Sequence, residues 1–184
     1  MSVMTHFTVF ETAAGWAGLA WRERGLVGVH LPESNPEITR RGLRRRFPAA
    51  AEAPPVPDFA PVIEGICALL RGEKADFSAA SLDMTDTPAF NAKVYEIART
   101  IPVGETLTYG EIAIRLGEKR LARDVGAALG QNPWPIVVPC HRVTAAGGRL
   151  GGFSARGGAR TKLKLLTIEG APAAAQADLF GMSG

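Results

Sequence analysis

The first thirty residues contain three hydrophobic stretches, the first of which alternates with polar positions in a period of two. Hydrophobic Phe7 and Val9 are separated by one polar residue, and two further hydrophobic runs follow at 16–21 and 26–31. A period of two is typical of strands that bury one face and expose the other. Because the last two runs are joined by the short turn Arg24-Gly25, the pattern predicts a small antiparallel sheet of three strands.

Helical signals follow this predicted sheet. Asn35-Pro36 is typical of a helix start, and the basic helix that it opens extends to about Phe47. A second, apolar helix ends at Gly72 and carries Cys67 on its apolar stripe, where a small buried hydrophobe is the better interpretation. We therefore predict an N-terminal supporting domain over residues 1–84, built from helices and a three-stranded antiparallel sheet.

The second half of the chain has the hydrophobic period of helices. Thr87-Pro88 resembles an N-cap with proline at the first helical position, and Thr108 and Glu111 have the spacing of a capping box. A further helix is predicted from about Arg120 to Leu129. Two short helices joined by a glycine-containing turn have the outline of a helix-turn-helix, although many helical hairpins bind nothing.

The predicted fold class is α+β. Residues 85–172 are expected to form a C-terminal, helical, winged-helix-like domain that contains the helix-turn-helix. A short buried strand is predicted at 136–138, because three apolar residues occur there in succession. The alanine-rich residues 173–184 are expected to form a flexible tail.

Charge is unevenly distributed along the chain. The formal net charge of the 184 residues is only +3, but residues 115–164 hold ten basic and two acidic side chains, a local balance of +8. Such a cluster favours a polyanionic partner, with a solvated surface as the alternative. The basic residues are Arg115, Lys119, Arg120, Arg123, Arg142, Arg149, Arg156, Arg160, Lys162 and Lys164.

Other classes of protein find no support in the sequence. No apolar run approaches the roughly 20 residues that a membrane span needs, and the start of the chain lacks the pattern of a secretory signal. We therefore expect a cytoplasmic protein without membrane association. The two cysteines and three histidines show no zinc-ligand spacing, so no metal site is predicted.

One stretch carries candidate chemistry. Pro139-Cys140-His141-Arg142-Val143 places a cysteine beside a base, and a cysteine becomes a strong nucleophile when a neighbouring base or cation favours its thiolate. Adjacent strand residues point to opposite faces, so His141 reaches the thiol only if the backbone turns sharply. Glu169 is a candidate for the acidic group that orients the imidazole. The alternative is that Cys140 simply fills the core.

The same stretch resembles the active-site signature of the O6-alkylguanine-DNA alkyltransferases, also called methylated-DNA–protein-cysteine methyltransferases. The resemblance extends over about residues 87–170, where the helix-turn-helix, the apolar run before Pro139, a glycine-rich loop and Leu165-Leu166-Thr167-Ile168-Glu169-Gly170 occur in the family's order. It implies that Cys140 is the alkyl acceptor, activated through a water by His141, which Glu169 orients. Asn132 would brace the active-site turn, and Tyr109 would supply a proton to the departing guanine.

The resemblance also implies contacts with DNA and with the base. Arg123 would intercalate from the recognition helix, and the small residues Ala127 and Ala128 would let that helix enter a minor groove, with Arg120 and Lys119 nearby. Val143, Gly151, Phe153 and Ser154 would line the base pocket. Phe153 stands where many relatives have tyrosine, and the stretch 155–160 is about two residues longer than in shorter-loop relatives, which leaves the preferred alkyl size open.

The function that the resemblance implies is single-turnover DNA repair. The alkyl group of O6-alkylguanine, and of O4-alkylthymine, would pass irreversibly to Cys140 after nucleotide flipping. The expected partner is double-stranded DNA containing O6-alkylguanine, with a monomeric protein, no obligate protein partner and no cofactor. Two rivals are a binding module that recognises damaged guanine without repairing it and a cysteine hydrolase that uses Cys140, His141 and Glu169. Binding modules of the first kind lack the acceptor cysteine, whereas this chain has Cys140. A hydrolase needs an oxyanion hole, and nothing in the sequence specifies one.

Overall fold

The chain divides into two units in a computed structural model that describes residues 3–155 and 157–179. Unit 1 is Met1–Asp86 together with Pro133–Val137, and unit 2 is Thr87–Asn132 together with Val138–Gly184. The division falls two residues after the domain boundary predicted at 84–85, and it adds to unit 1 a short segment from the second half of the chain. The α+β fold class predicted from the sequence is confirmed. No helix among the described residues is long and apolar enough to cross a membrane.

Unit 1 is built on a four-stranded sheet in the order β3-β2-β1-β4. Phe7 of β1 is completely buried, as its alternation with polar Thr8 predicts, and Leu19 is completely buried within a run of five buried residues in β2. The prediction of three antiparallel strands is correct for β1 to β3 but misses β4, which pairs in parallel with β1 over two residues. Such a short strand has no recognisable period. The strands are β1 (His6–Thr12), β2 (Gly15–Arg22), β3 (Gly25–Glu33) and β4 (Ala51–Glu52).

Two helices complete the first part of unit 1, α1 (Pro36–Arg46) and α2 (Ala60–Leu70). The Asn35 side chain accepts a hydrogen bond from the Ile38 amide and caps α1, as predicted. Helix α1 packs closely on the sheet at Gly18, where a Cβ would lie 2.5 Å from a methyl group of Leu43. A larger residue at this point of β2 would have to displace the Leu43 side chain, so glycine suits the close approach of the helix.

The segment Pro133–Val137 is held in unit 1 by hydrogen bonds and by burial of Trp134. The Trp134 indole donates to the Leu26 carbonyl at 2.8 Å, and the Val29 amide donates to the Pro133 carbonyl at 2.9 Å. The strand predicted at 136–138 is wrong, since these residues form a turn in which Ile136 has a φ of +75°. The apolar run reflects burial of the turn and not a strand, an ambiguity inherent in short apolar runs.

Unit 2 is mainly helical and contains the predicted helix-turn-helix. Thr108 and Glu111 form the capping box at the start of α4, while the helix predicted to begin at Pro88 begins one residue later. A two-stranded parallel ladder joins β5 and β6. A winged-helix arrangement stays a prediction. The elements are α3 (Ala89–Arg99), β5 (Leu107–Thr108), α4 (Tyr109–Arg115), a 3₁₀ turn (Lys119–Leu121), α5 (Ala122–Gly130), a second 3₁₀ turn (Cys140–Arg142), β6 (Val143–Thr144), α6 (Gly158–Ile168) and α7 (Pro172–Leu179).

Helix α7 occupies most of the stretch expected to be a flexible tail. Ala174 and Ala177 are buried in a cluster with Leu150 and Leu166. Small side chains at three-residue spacing allow this helix to pack on α6, so the alanine-rich composition favours close helix contact here and not disorder. Residues 180–184 of the predicted tail lie outside the described residues.

Replacing Trp134 should destabilise unit 1. Trp134→Ala removes a large side chain that is 1% exposed, and we expect a loss of about 3–5 kcal/mol in the free energy of unfolding, measured by urea denaturation. Trp134→Phe keeps most of the volume but leaves the Leu26 carbonyl without its indole donor, so a smaller loss of about 1–2 kcal/mol is expected. A Trp134→Ala protein within about 1 kcal/mol of the unsubstituted protein would contradict this account of the segment.

Candidate active site

Cys140 lies on a tight turn of backbone and not on a strand. The 3₁₀ turn Cys140–Arg142 is closed by hydrogen bonds from the Cys140 amide to the Val138 carbonyl at 2.8 Å and from the Arg142 amide to the Pro139 carbonyl at 2.9 Å. The Asn132 side chain donates to the Val138 carbonyl at 2.9 Å. The condition set by the sequence, a sharp turn between Cys140 and its histidine neighbour, is therefore met.

His141 and Arg142 share the carboxylate of Glu169. The His141 Nε2 lies 2.7 Å from Glu169 Oε1, and the Arg142 guanidinium donates to both oxygens of the same carboxylate at 2.8–3.2 Å. A third guanidinium nitrogen donates to the Ile101 carbonyl at 2.7 Å. All three side chains are buried, and both carboxylate oxygens of Glu169 accept hydrogen bonds.

The charges in this cluster are set by opposing effects. Burial would raise the pKa of Glu169, but the hydrogen bonds from His141 and Arg142 outweigh burial and lower it to about 2. Burial lowers the pKa of His141, against the opposing effect of the Glu169 hydrogen bond. At neutral pH the cluster therefore holds an ionised carboxylate, a guanidinium and a neutral imidazole.

These charges fix the tautomer of His141. An ionised carboxylate only accepts hydrogen bonds, so the imidazole hydrogen lies on Nε2, the atom that faces Glu169. In a neutral imidazole the other nitrogen, Nδ1, then carries a lone pair. This Nδ1 is buried and has no hydrogen-bond partner within residues 3–155 and 157–179. His141 is thus prepared to accept a proton at Nδ1.

The Cys140 thiol is buried, and burial raises its pKa above the ordinary value. Several groups oppose this effect: a hydrogen bond from Asn132, the charge of Lys162 and the backbone amides of Cys140 and His141. The thiol is therefore protonated at rest, in surroundings that already provide donors and a cation for its thiolate. Cys67, in unit 1, differs: it is half-buried, burial raises its pKa, and its thiol lies 3.6 Å from the Glu11 carbonyl.

Tyr109 and Lys162 form a second polar group in unit 2. The completely buried Lys162 donates to the Tyr109 hydroxyl at 3.3 Å and to the Gly152 carbonyl at 3.2 Å, and its ammonium lies 5.5 Å from the centre of the Tyr109 ring. The Tyr109 hydroxyl also donates to the Gly152 carbonyl at 3.3 Å. Burial raises the pKa of Tyr109 and lowers that of Lys162 to about 8, so the phenol stays protonated at neutral pH.

A cavity of about 780 Å³ opens beside Cys140. The predicted pocket residues Phe153 and Ser154 line it, while Gly151 contacts Tyr109 and Val143 is completely buried in β6. A backbone role for Val143 stays a prediction. The cavity is lined by Tyr109, Gly110, Ala122, Arg123, Gly126, Leu129, Gly130, Cys140, Ala145, Ala146, Gly152, Phe153 and Ser154.

Helix α5, predicted to be the recognition helix, exposes only some of the residues that were expected to face DNA. Arg123 and Ala127 are exposed, and Arg123 also lines the cavity, but Ala128 is buried and its carbonyl accepts the Tyr95 hydroxyl at 2.7 Å. The prediction that Ala128 contacts DNA is therefore wrong, because its side chain faces the core of unit 2. Arg120 and Lys119 are exposed on the preceding 3₁₀ turn, where Arg120 pairs with Glu118.

Two of the ten basic residues that were expected to bind a polyanion have buried side chains in the site. Arg142 and Lys162 were not predicted as site residues, because a charge count does not distinguish buried from exposed cations. Lys162 could have been recognised, since it occupies the same helical stripe as Leu165, Leu166 and Glu169. Arg156 lies outside the described residues. The exposed members are Arg115, Lys119, Arg120, Arg123, Arg149, Arg160 and Lys164.

The residues predicted for the site are brought together within one unit. Cys140, His141, Glu169, Asn132 and Tyr109, predicted from widely separated positions, all belong to unit 2. Within residues 3–155 and 157–179, no three His, Cys, Asp or Glu side chains are grouped as a metal site would require. The chemistry that these residues can perform is proton removal from a thiol and proton donation from a phenol.

The ionised, buried Glu169 should give folding stability a defined pH dependence. Its folded-state pKa of about 2 lies below the ordinary 4.5, so its contribution is fully present above about pH 4.5 and is lost as the pH falls toward 2. We expect the unsubstituted protein to exceed Glu169→Gln by roughly 3 kcal/mol in the free energy of unfolding at pH 6, and this difference to narrow by roughly 2 kcal/mol at pH 3. Urea denaturation at both pH values measures it.

The exposed Glu105 offers a matched control for this measurement. Glu105→Gln makes the same chemical change at the surface and should leave the free energy of unfolding nearly unchanged at pH 6. A difference between the unsubstituted protein and Glu169→Gln that is the same at both pH values would show that the buried carboxylate is not ionised as described.

Similarity to known proteins is consistent along the chain. Residues 89–171 match the family model described as the DNA-binding domain of 6-O-methylguanine DNA methyltransferase. The chain is 36% identical over 177 residues to the methylated-DNA–protein-cysteine methyltransferase of Mycolicibacterium paratuberculosis, which covers 96% of this chain and 99% of that protein. It is 39% identical over 138 residues to a DNA base-flipping protein of Thermus thermophilus, which covers 73% of this chain and 91% of that protein.

The fold is also similar to that of a protein solved with DNA. The crystal structure of Mycobacterium tuberculosis OGT in complex with DNA has a TM-score of 0.68 at 31% identity and covers 94% of this chain and 98% of that chain. Similarity in sequence and fold thus extends well beyond the region around Cys140. The chain belongs to the methylated-DNA–protein-cysteine methyltransferase family.

Proposed function

We propose that this protein repairs DNA by taking the alkyl group of O6-alkylguanine onto Cys140 in a single, irreversible transfer. The observation that carries the proposal is the placement of Cys140 on a tight turn, beside a cavity and next to a histidine whose free nitrogen is a base. Family membership supports the proposal, because the relatives are named as methyltransferases of methylated DNA and a protein cysteine. The same transfer is proposed for O4-alkylthymine.

The transfer begins with the thiol proton. His141 Nδ1 takes the proton of Cys140, directly or through one water, and the Glu169 carboxylate at 2.7 Å stabilises the imidazolium that forms. The thiolate then attacks the alkyl carbon. The new bond joins sulfur to carbon, the bond from that carbon to O6 breaks, and its electron pair remains on guanine.

The leaving guanine needs a proton, and Tyr109 is the donor that we propose. Its hydroxyl is part of the cavity wall, and burial keeps its pKa above the ordinary value, so it carries a proton at neutral pH. The ammonium of Lys162, 3.3 Å away, stabilises negative charge on the phenol oxygen after the proton leaves. Asn132 keeps the turn before Cys140 in place through the Val138 carbonyl.

DNA reaches this site through the exposed face of α5. The alkyl carbon of a stacked guanine is inaccessible to a protein nucleophile, so the nucleotide must leave the helix. Arg123 is exposed and lines the cavity, which is the placement that an intercalating side chain requires. The seven exposed cations of residues 115–164 would bind phosphates without regard to sequence, as repair of guanine in any context demands. We propose a monomer that needs no cofactor, because the damaged base itself supplies the alkyl group.

A second candidate is recognition and flipping of the damaged base without transfer. It is favoured by the similarity to a protein named for DNA base flipping. The two candidates differ in one chemical result, since only transfer leaves a covalent alkyl group on the protein.

Mass spectrometry after incubation with methylated duplex DNA tests the acceptor. The unsubstituted protein should gain one methyl group on Cys140, and a titration should stop at one group per active molecule, because a thioether has no leaving group that water could displace. Cys140→Ser should lose the transfer but still bind duplex DNA. Cys67→Ser is the matched control and should transfer normally, because Cys67 lies in unit 1 beside the Glu11 carbonyl. Continued turnover, or a methyl group on Cys67, would contradict the proposal.

Arg123→Ala tests base extrusion. Loss of the intercalating side chain should raise the barrier to repair of methylated duplex by about 2 kcal/mol, which slows it roughly 30-fold. The rate with free O6-methylguanine, which needs no flipping, should change little. Arg41→Ala, an exposed arginine of α1, is the control and should affect neither rate. Equal losses of Arg123→Ala on duplex and free base would exclude the intercalating role.

A further inference from the structure

The glycine-rich loop beside the cavity has a single apolar anchor. Gly147, Gly148 and Gly151 have φ values of 73–76°, in the left-handed region that favours glycine. Leu150 lies among them and is 4% exposed. Among the described residues from 146 to 161, it is the one buried side chain. A stretch so rich in glycine has many unfolded conformations, so burial of this anchor contributes to its order.

The anchor is held by the C-terminal helix. Leu150 belongs to a buried cluster with Leu166 of α6 and with Ala171, Ala174 and Ala177, the last two on α7. The small alanine side chains leave room for Leu150 and bring α7 close to α6. The residue that orders the loop is therefore packed against an element at the far end of the chain.

The residues that follow Leu150 make the contacts of the pocket wall. A Cβ at Gly151 would lie 2.6 Å from the Tyr109 hydroxyl, so the loop backbone presses directly on that ring. The Gly152 carbonyl accepts hydrogen bonds from Tyr109 and Lys162. The next two residues line the cavity with Cys140. A displacement of Leu150 would therefore move the wall against which the base must lie.

We propose that α7, acting through Leu150, positions the glycine-rich loop against Tyr109 and thereby holds the alkylated base in line with Cys140. This inference rests on the alkyl-transfer function proposed above. Leu150 is a positioning residue, since its side chain is buried in the cluster. Helix α7 begins at Pro172, one residue beyond the stretch 89–171 that matches the family domain, so an element outside that domain takes part in the reaction.

Two substitutions, one at a buried and one at an exposed position of α7, provide the test in full-length protein carrying Cys67→Ser. Ala174→Glu places a charge in the cluster with Leu150, and Ala175→Glu places the same charge on the exposed face. We expect Ala174→Glu to slow alkyl transfer from methylated duplex by about 10- to 100-fold, because a shift of about 1 Å in a positioned substrate has effects of that size. Ala175→Glu should stay within about twofold.

Two further readouts separate positioning from a general loss of structure. Affinity for undamaged duplex should change by no more than about twofold in Ala174→Glu, since phosphate contacts do not involve the base pocket. The rate of Cys140 alkylation by iodoacetamide should also stay within about twofold, since this small reagent needs access to the thiol but no positioned base. Leu150→Ala should reproduce the selective loss of transfer, and Leu150→Met, which keeps the apolar volume, should restore it.

The outcomes are distinct. Transfer at the unsubstituted rate in both Ala174→Glu and Leu150→Ala would overturn the inference. A parallel loss of transfer, duplex affinity and iodoacetamide reactivity in these two variants would also overturn it, because it would show that α7 merely supports unit 2. An unsubstituted protein that gains no alkyl group while its Cys140 still reacts with iodoacetamide would overturn the proposed function itself.

Discussion

The site depends on one buried carboxylate and the two side chains that satisfy it. An isolated ion in a dry interior costs several kcal/mol, so Glu169 is stable only because His141 and Arg142 both bind it. These hydrogen bonds connect the end of α6 to the 3₁₀ turn that carries Cys140. Arg142 extends the connection to the Ile101 carbonyl after α3. Moving any one of these elements would leave a buried charge unpaired, and this gives the turn a single well-defined geometry.

Sharing the carboxylate also sets the chemistry of His141. A histidine that had the carboxylate to itself would be drawn toward the protonated form. Here burial has the largest effect and lowers the pKa of His141, and the guanidinium of Arg142 also opposes a positive charge on the neighbouring ring. The carboxylate therefore orients the ring without protonating it, and the ring remains able to accept a proton.

Sequence patterns predicted the parts of this protein that are governed by local rules. The capping box of α4 and the cap of α1 depend on residues within one helical turn, so the sequence predicts them well. The turn at 136–138, the buried side of Ala128 and helix α7 depend on packing with distant residues, and each was predicted wrongly. Cys140, His141 and Glu169 were grouped as candidates by their chemistry and given their roles by the family resemblance, whereas Arg142 and Lys162 were counted as surface charge. A local sequence pattern does not show which cations will be buried beside a carboxylate or a phenol.

The fixed charges of unit 2 are arranged for the charges that the proposed reaction creates. Transfer of a proton from Cys140 to His141 makes a thiolate and an imidazolium. Glu169 already faces the position of the imidazolium, and the Lys162 charge lowers the pKa of the thiol, which means that it favours the thiolate. When Tyr109 gives up its proton, the same ammonium is 3.3 Å from the oxygen that becomes negative. One lysine thus stabilises negative charge first near sulfur and then on oxygen. Because it is buried before DNA binds, little reorganisation is needed at either step.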